Sequence, residues 1–443
     1  IKVAPASGAL ANSIYTAFTR QFGPDRDRHP ASLSENTLHT LDQAGYSVIP
    51  PSGTFRDLAR HLDHIVFDLG FRILQLLPIH PVPTTYARMG RFGSPFAALD
   101  FTSVDPALAE FDTRSTPLDQ FGELVNAVHA RGALLFLDLP ANHTGWASTL
   151  QTHHPEWFRR HPDGRFKSPG AWGTLWEDLV ELDYARPQLP GYMADVFLFW
   201  CRRGVDGVRC DAGYRLPVAA WRYLVARVRS EYPDTTFLLE GLGGKLEITE
   251  QLLTVANLDW AYSELFQIEK RSEMERYLES VDGLSATAGP LVHFAETHDN
   301  NRLAARGARF ARMRTTLAAL LSQRGAFGIT NGLEWLATAK LDVHQSAGLN
   351  WGSRRNLVRI IGRLNALLTV HESFGPNATT RILPNEQGNE TLVFLRTTPH
   401  GAALLIVANL DVRERADASW PRALFDHPRP RDLLTGRTIV PAK

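Results

Sequence analysis

The sequence predicts an α/β protein built on a closed (β/α)8 barrel. Three observations lead there. Short apolar runs alternate with amphipathic helical segments about eight times over roughly 370 residues, the signature of a parallel sheet covered by helices. The runs are apolar on both faces, as strands buried under helices must be. No glycine fingerprint follows the first run, which counts against an open dinucleotide-binding sheet, and eight units favour closure.

The elements follow in order. Residues 13–22 read as the first strand, and 55–69 as an amphipathic helix with Thr54 as its N-cap. Gly70 ends that helix, and FRILQLLPI (71–79) is the second strand. A helix over 116–131, capped by Ser115, leads through Gly132 into ALLFLDL (133–139), the third. Then come helix 190–203 and the fourth strand at 207–210, followed by helix 218–231 and TFLLE (236–240). Helix 248–256 precedes a short strand near Trp260, and helix 273–280 precedes a strand at 291–295. A long helix over 302–321, a strand at 326–330 and a helix over 354–369 complete the series.

Two stretches break the alternation. Residues 141–189 show little periodicity and many Trp, His, Pro and Gly residues, and they read as a small insertion after the third strand. Beyond about residue 375 short β-like runs at 391–396 and 402–410 suggest an antiparallel β domain. The expected organisation is therefore a barrel over 1–140 and 190–375, an insertion over 141–189, and a β domain over 376–443.

Composition excludes several classes of function. The 443 residues carry 47 basic and 47 acidic side chains, with no run of one sign, so neither nucleic acid nor membrane is an expected partner. No apolar stretch is long enough to span a bilayer. Two cysteines, Cys201 and Cys210, make neither a disulfide framework nor a metal cluster and fit a reducing, cytoplasmic setting. No signal peptide is legible, and the opening Ile1 allows the chain to be one catalytic module of a larger polypeptide.

The candidate chemistry collects at strand ends. In such barrels reactive residues sit at the C-terminal ends of the strands. In GVRCDA (207–212), alternation puts Arg209 and Asp211 on one face, so the guanidinium keeps the carboxylate ionised and aims it. Asp138, followed by Asn142 and His143, ends the third strand; Glu240 ends the fifth; His298 and Asp299 follow the seventh. Taken singly, each has a bland reading: a structural ion pair, a buried acid bonded to backbone, a loop histidine, a helix cap. Together at one mouth they suggest glycoside chemistry with retention, in which one acid attacks the anomeric carbon and a second protonates the leaving oxygen. That chemistry calls for carboxyls about 5–5.5 Å apart.

These residues resemble the α-amylase superfamily, glycoside hydrolase family 13. LDLPANH (137–143), GVRCDA (207–212), LLEG (238–241) and ETHDN (296–300) match its four motifs in order and spacing. GSPFAALDF (93–101) and GLE (332–334) match further patterns, and the resemblance covers essentially the whole chain. It implies Asp211 as nucleophile, Glu240 as general acid/base and Asp299 as transition-state stabiliser. Arg209 would orient Asp211, and Asp138, His143 and His298 would hold the sugar being cleaved. Phe96 stands where the family often has a stacking tyrosine, keeping the ring face without the hydroxyl.

Many true α-amylases carry a Lys-His pair just after the second motif that shapes the acceptor side and helps hold a calcium ion; here Gly213 and Tyr214 stand there. Asn142 matches a calcium ligand of the family, but one ligand is not a site, and no cofactor is required. Trp146, Trp172 and Trp176 are candidate sugar platforms or else the small core of the insertion. The short insertion, the GSP loop and the NGLEW segment (331–335) look more like the maltosyltransferase and glucanotransferase branches than like secreted amylases. The expected function is cleavage of α-glucosidic bonds in starch, glycogen or maltooligosaccharides by double displacement, ending in hydrolysis or transfer. A 4-α-glucanotransferase or maltosyltransferase module is the alternative, and a non-catalytic glucan-binding relative a third reading that the three acids oppose.

Overall fold

The computed structural model describes residues 12–23 and 34–439, apart from positions 47, 172, 386, 388, 426 and 428. Trp172 therefore lies outside the described residues.

Eight parallel strands close into a barrel: β1 (Ile14–Ala17), β2 (Ile73–Leu76), β3 (Leu134–Leu139), β4 (Gly207–Cys210), β5 (Thr236–Leu239), β6 (Trp260–Tyr262), β7 (Leu291–Phe294) and β8 (Phe327–Thr330). Neighbours in sequence are neighbours in the sheet, and β8 pairs with β1 to shut it. Period-two alternation sorts each strand. The outward residues, such as Tyr15, Leu74, Leu135, Val208 and Phe237, meet the surrounding helices in the main core. The inward residues Ile14, Ile73, Phe136, Leu238, Trp260, Val292 and Phe294 fill the barrel. Glycine is required twice there. A Cβ on Gly207 would stand 2.5 Å from the Phe136 ring, and one on Gly328 would stand 2.4 Å from the Phe294 ring.

Two residues further along, the same inward face turns polar: Gln75, Asp138, Arg209, Glu240, Tyr262 and Glu296 stand above that apolar floor. The site is built there, at the C-terminal ends of the strands.

Several expected elements are shorter or broken. The predicted first strand gives way to a 3-10 turn at Thr19–Phe22. The predicted helix over 55–69 is Phe55–Ala59, started by a Thr54–Asp57 capping box, followed by a π turn at His64–Asp68. Helix Pro117–His129 is capped by Thr116 rather than Ser115, because Thr116 and Asp119 form a reciprocal box. The long helix expected over 302–321 is a 3-10 turn, Leu303–Arg306, and a helix, Ala308–Leu320, divided at Gly307, whose φ of 103° no helix accommodates.

Between β3 and β4 the chain makes two small antiparallel ribbons, His143–Gly145 with Leu179–Glu181 and Gly170–Ala171 with Thr174–Leu175. After helix Val358–Val370 come β9 (Thr379–Leu383), β10 (Thr391–Thr397) and β11 (Ala403–Asn409), a separate antiparallel sheet. The sequence reading lacks β9, whose burial alternates weakly and whose turn residues mask its pattern. This sheet docks through Leu392, Phe394 and Ile406 onto Met274, Leu278 and Leu317. Among the described residues no helix is long and apolar enough to cross a membrane.

Candidate active site

The centre of the site is an ion triad. Arg209 pairs across the sheet with Asp138 and lies two residues before Asp211. Its Nη1 donates to Asp138 Oδ2 at 2.6 Å and to Asp211 Oδ1 at 2.8 Å. Asp138 and Arg209 are fully enclosed, while the Asp211 side chain keeps 13% exposure toward the mouth. Burial opposes the Arg209 charge, yet Asp138, Tyr262, Asp211 and Glu240 around it raise its pKa well above the ordinary value. The guanidinium therefore stays charged and holds Asp211 in one orientation, as the strand alternation predicts.

Glu240 ends β5, next to β4 in the barrel. Each of its oxygens accepts a backbone N–H, from Ala212 at 2.8 Å and from Leu242 at 2.9 Å. Ala212 follows Asp211 and takes a left-handed conformation (φ 41°, ψ 41°) to make that bond. Burial pushes the Glu240 carboxyl up to about 7; Arg209 pulls it down and Asp211 pushes it further up. Two carboxyl groups on adjacent strand ends thus hold opposite roles, one pinned by a cation and one kept near neutrality.

The remaining predicted residues ring this pair. His143 sits on the first insertion ribbon, buried, with its Nε2–H directed at the Phe96 carbonyl, 3.1 Å away. The Phe96 ring stacks on the His298 imidazole with centroids 5.5 Å apart and lies under the Arg209 guanidinium. Burial lowers the pKa of both histidines, so they offer neutral hydrogen-bonding rings at pH 7. Asp299 stands on the same rim after β7, its Oδ2 3.4 Å from His298 Nε2 and its side chain 61% exposed. Tyr214 is half-buried on the turn Gly213–Arg215, against Gly244.

Two predicted residues fit other roles. Trp146 donates its indole N–H to Glu177 O at 2.8 Å and meets Phe166 edge-on, so it packs the insertion. Asn142 is engaged by His143 and the Asp211 carbonyl, and among the described residues no group of three His, Cys, Asp or Glu side chains could hold a metal ion.

Some contributors escaped the sequence reading. Gln75 bonds Tyr262 Oη at 3.2 Å, and Tyr262 lies under Arg209; the inward alternation of β2 and β6 carries both. Arg215 reaches the Gly170 carbonyl and lies over the half-buried Trp176, joining the end of β4 to the insertion.

Among curated proteins the chain is similar to the α-1,4-glucan:maltose-1-phosphate maltosyltransferases of Cereibacter sphaeroides (30% identity over 322 residues, 66% of this chain and 46% of the relative) and Rhodospirillum rubrum (28% over 429 residues, 88% and 60%). The chain spans about half the length of these relatives. Among solved structures it resembles an α-amylase from Lactobacillus plantarum (TM-score 0.72, 23% identity, covering 97% of this chain and 95% of that one). It also resembles a noncanonic maltogenic α-amylase from Thermotoga neapolitana (TM-score 0.74, 20% identity, 96% and 93%), likenesses that carry the fold. No protein-family model matches the chain. With the barrel closed, the four motifs gathered at one mouth and maltosyltransferases among its sequence relatives, the chain resembles glycoside hydrolase family 13, the α-amylase superfamily.

Proposed function

We propose that this chain is a retaining α-glucan-active enzyme that works by double displacement and passes the glycosyl unit to a sugar hydroxyl. The observation that carries this reading is the pairing of Asp211, fixed by Arg209 at 2.8 Å, with Glu240, whose carboxyl is pushed up to about 7.

In the first step an Asp211 oxygen attacks the anomeric carbon. The glycosidic C–O bond breaks, and its oxygen leaves with the Glu240 proton. Both Glu240 oxygens already accept a backbone N–H, which fixes the direction of its O–H. Asp299 faces the positive charge that develops on the ring. In the second step the Glu240 carboxylate takes the proton of an acceptor hydroxyl, whose oxygen attacks the same carbon and frees Asp211. Asp138, His143 and His298 bond the ring hydroxyls, and Phe96 packs against its apolar face. No metal or cofactor enters these steps.

The activity for which the relatives are named supports transfer over hydrolysis and a phosphorylated donor, maltose-1-phosphate, over a plain glucan. Incubation with maltoheptaose, with and without phosphate, and with maltose-1-phosphate as donor tests this. Products longer than the acceptor support transfer; shorter products alone leave hydrolysis. Buried, unpaired Cys201 and Cys210 support a reducing compartment such as the cytoplasm.

A further inference from the structure

Asp299 occupies a loop closed at its base by a buried ion pair. Glu296, 1% exposed, begins the loop, and Arg302, 2% exposed, ends it. Arg302 Nη1 donates to Glu296 Oε1 at 2.7 Å, and the Leu303 N–H donates to Oε2, also at 2.7 Å. One carboxylate thus receives both the side chain and the backbone of the loop's far foot. The near foot is fixed to the barrel: Thr330 Oγ1, on β8, donates to the Glu296 carbonyl at 3.2 Å. Arg302 Nε reaches Ala339 O at 3.3 Å in the loop after β8. Inside the loop, Thr297 Oγ1 donates to Asn300 Oδ1 at 2.6 Å and accepts the Asp299 N–H at 3.4 Å. At the tip, the Asp299 side chain is 61% exposed, so its place is set by the loop beneath it rather than by packing around it.

We propose that the Glu296–Arg302 pair is the clasp that positions Asp299 over the sugar ring, making both positioning residues of the reaction. The proposal rests on the reading of Asp299 as the transition-state stabiliser. A buried ion pair is weak evidence of a stabilising role, because apolar side chains of similar size often serve the fold equally well. What the pair supplies here is direction. A carboxylate that accepts from both a guanidinium and a backbone N–H sets both feet of a short loop, and a carboxylate displaced by about 1 Å costs on the order of 100-fold in rate.

The test is a double-mutant cycle with maltose-1-phosphate as donor and maltoheptaose as acceptor: Glu296→Gln, Asp299→Asn and both together, with kcat, KM and Tm measured for each. Glu296→Gln is expected to lower kcat on the order of 100-fold with KM little changed. The double variant is expected to match Asp299→Asn alone, because the clasp acts only through that residue. A Glu296→Gln kcat within about twofold of the wild type overturns the clasp. So do losses that multiply in the double variant. If Asp299→Asn itself keeps its turnover, the reading of Asp299 falls and takes the clasp with it, and the two failures are told apart by which variant stays active. A Glu296→Met/Arg302→Met variant guards against misfolding: folded, with unchanged Tm, it is expected to show the same loss of kcat, and full activity in it overturns the proposal.

Discussion

The backbone N–H of Ala212, the residue after Asp211, donates to Glu240 Oε2 at 2.8 Å. A left-handed alanine, uncommon outside glycine and asparagine, makes this bond. The turn that ends β4 thus sets the place of Asp211 and also anchors the acid on β5. Spacing between the two carboxyls is a property of one backbone conformation.

Glu240 works as an acid only while protonated, and burial places its pKa at about 7. The rate should therefore fall as pH rises through about 7, on the basic side of the kcat/KM profile. A profile flat to pH 9 excludes Glu240 as the proton donor. Replacing it with Gln should cost on the order of 100- to 10,000-fold with a poor leaving group.

The same burial makes a stability prediction of definite sign. The folded pKa of about 7 lies above the unfolded carboxyl value of roughly 4.3, so the folded state binds the proton more tightly. The contribution is fully present below pH 4 or so and is lost as pH rises through about 7. Glu240→Gln, which cannot ionise, should raise Tm relative to wild type more at pH 8 than at pH 5. Thermal scans at the two pH values measure this, and an equal shift at both contradicts it.

Among the described residues Arg209 is the cation that Asp138 and Asp211 share. Arg209→Met leaves Asp138, fully buried, without its partner, and should destabilise the fold by about 3–5 kcal/mol. Arg209→Lys keeps the charge but loses the planar fork, so it should lose more activity than stability. Chemical denaturation of both variants, set beside their turnover, separates these effects.

Sequence and structure agree most closely where period two operates. Alternation alone puts Arg209 and Asp211 on one face, and the same rule carries Gln75 and Tyr262 inward, although neither was singled out because no motif marks them. The breaks are harder to read. Gly307 looks like any tolerated helix glycine until its φ of 103° is known, and that break is what leaves Arg302 outside the helix and available to Glu296. Trp146 is equally ambiguous: an indole in a sugar enzyme can face the ligand or the core, and only its bond to Glu177 O decides.

Trp146→Ala should accordingly act through the insertion. Losing the edge-on contact with Phe166 and the indole bond should loosen the ribbon that carries His143. Protease susceptibility within 141–189 should rise, and the loss of affinity should be equal for short and long glucans. A sugar platform would instead lose affinity only for chains long enough to reach it.

Arg396 on β10 ties the C-terminal sheet to the barrel. It is fully buried, and its guanidinium donates to the carbonyls of Leu320 at 3.0 Å, Ser322 at 2.5 Å and Ser373 at 3.5 Å. Its ring contacts are Phe374 and Phe394, with the cation 4.5 Å and 5.4 Å from their centroids. Burial lowers its pKa to about 9, the mark of a cation held by dipoles and aromatic faces rather than by a carboxylate at bonding distance. Arg396→Ala leaves a cavity and three carbonyls without their donor, and should cost about 2–5 kcal/mol. Asp211 and Glu240 lie at the far ends of other strands, so kcat measured below the lowered Tm should stay at the wild-type value. A fall in kcat with an unchanged Tm would mean that this sheet shapes the site rather than bracing the barrel.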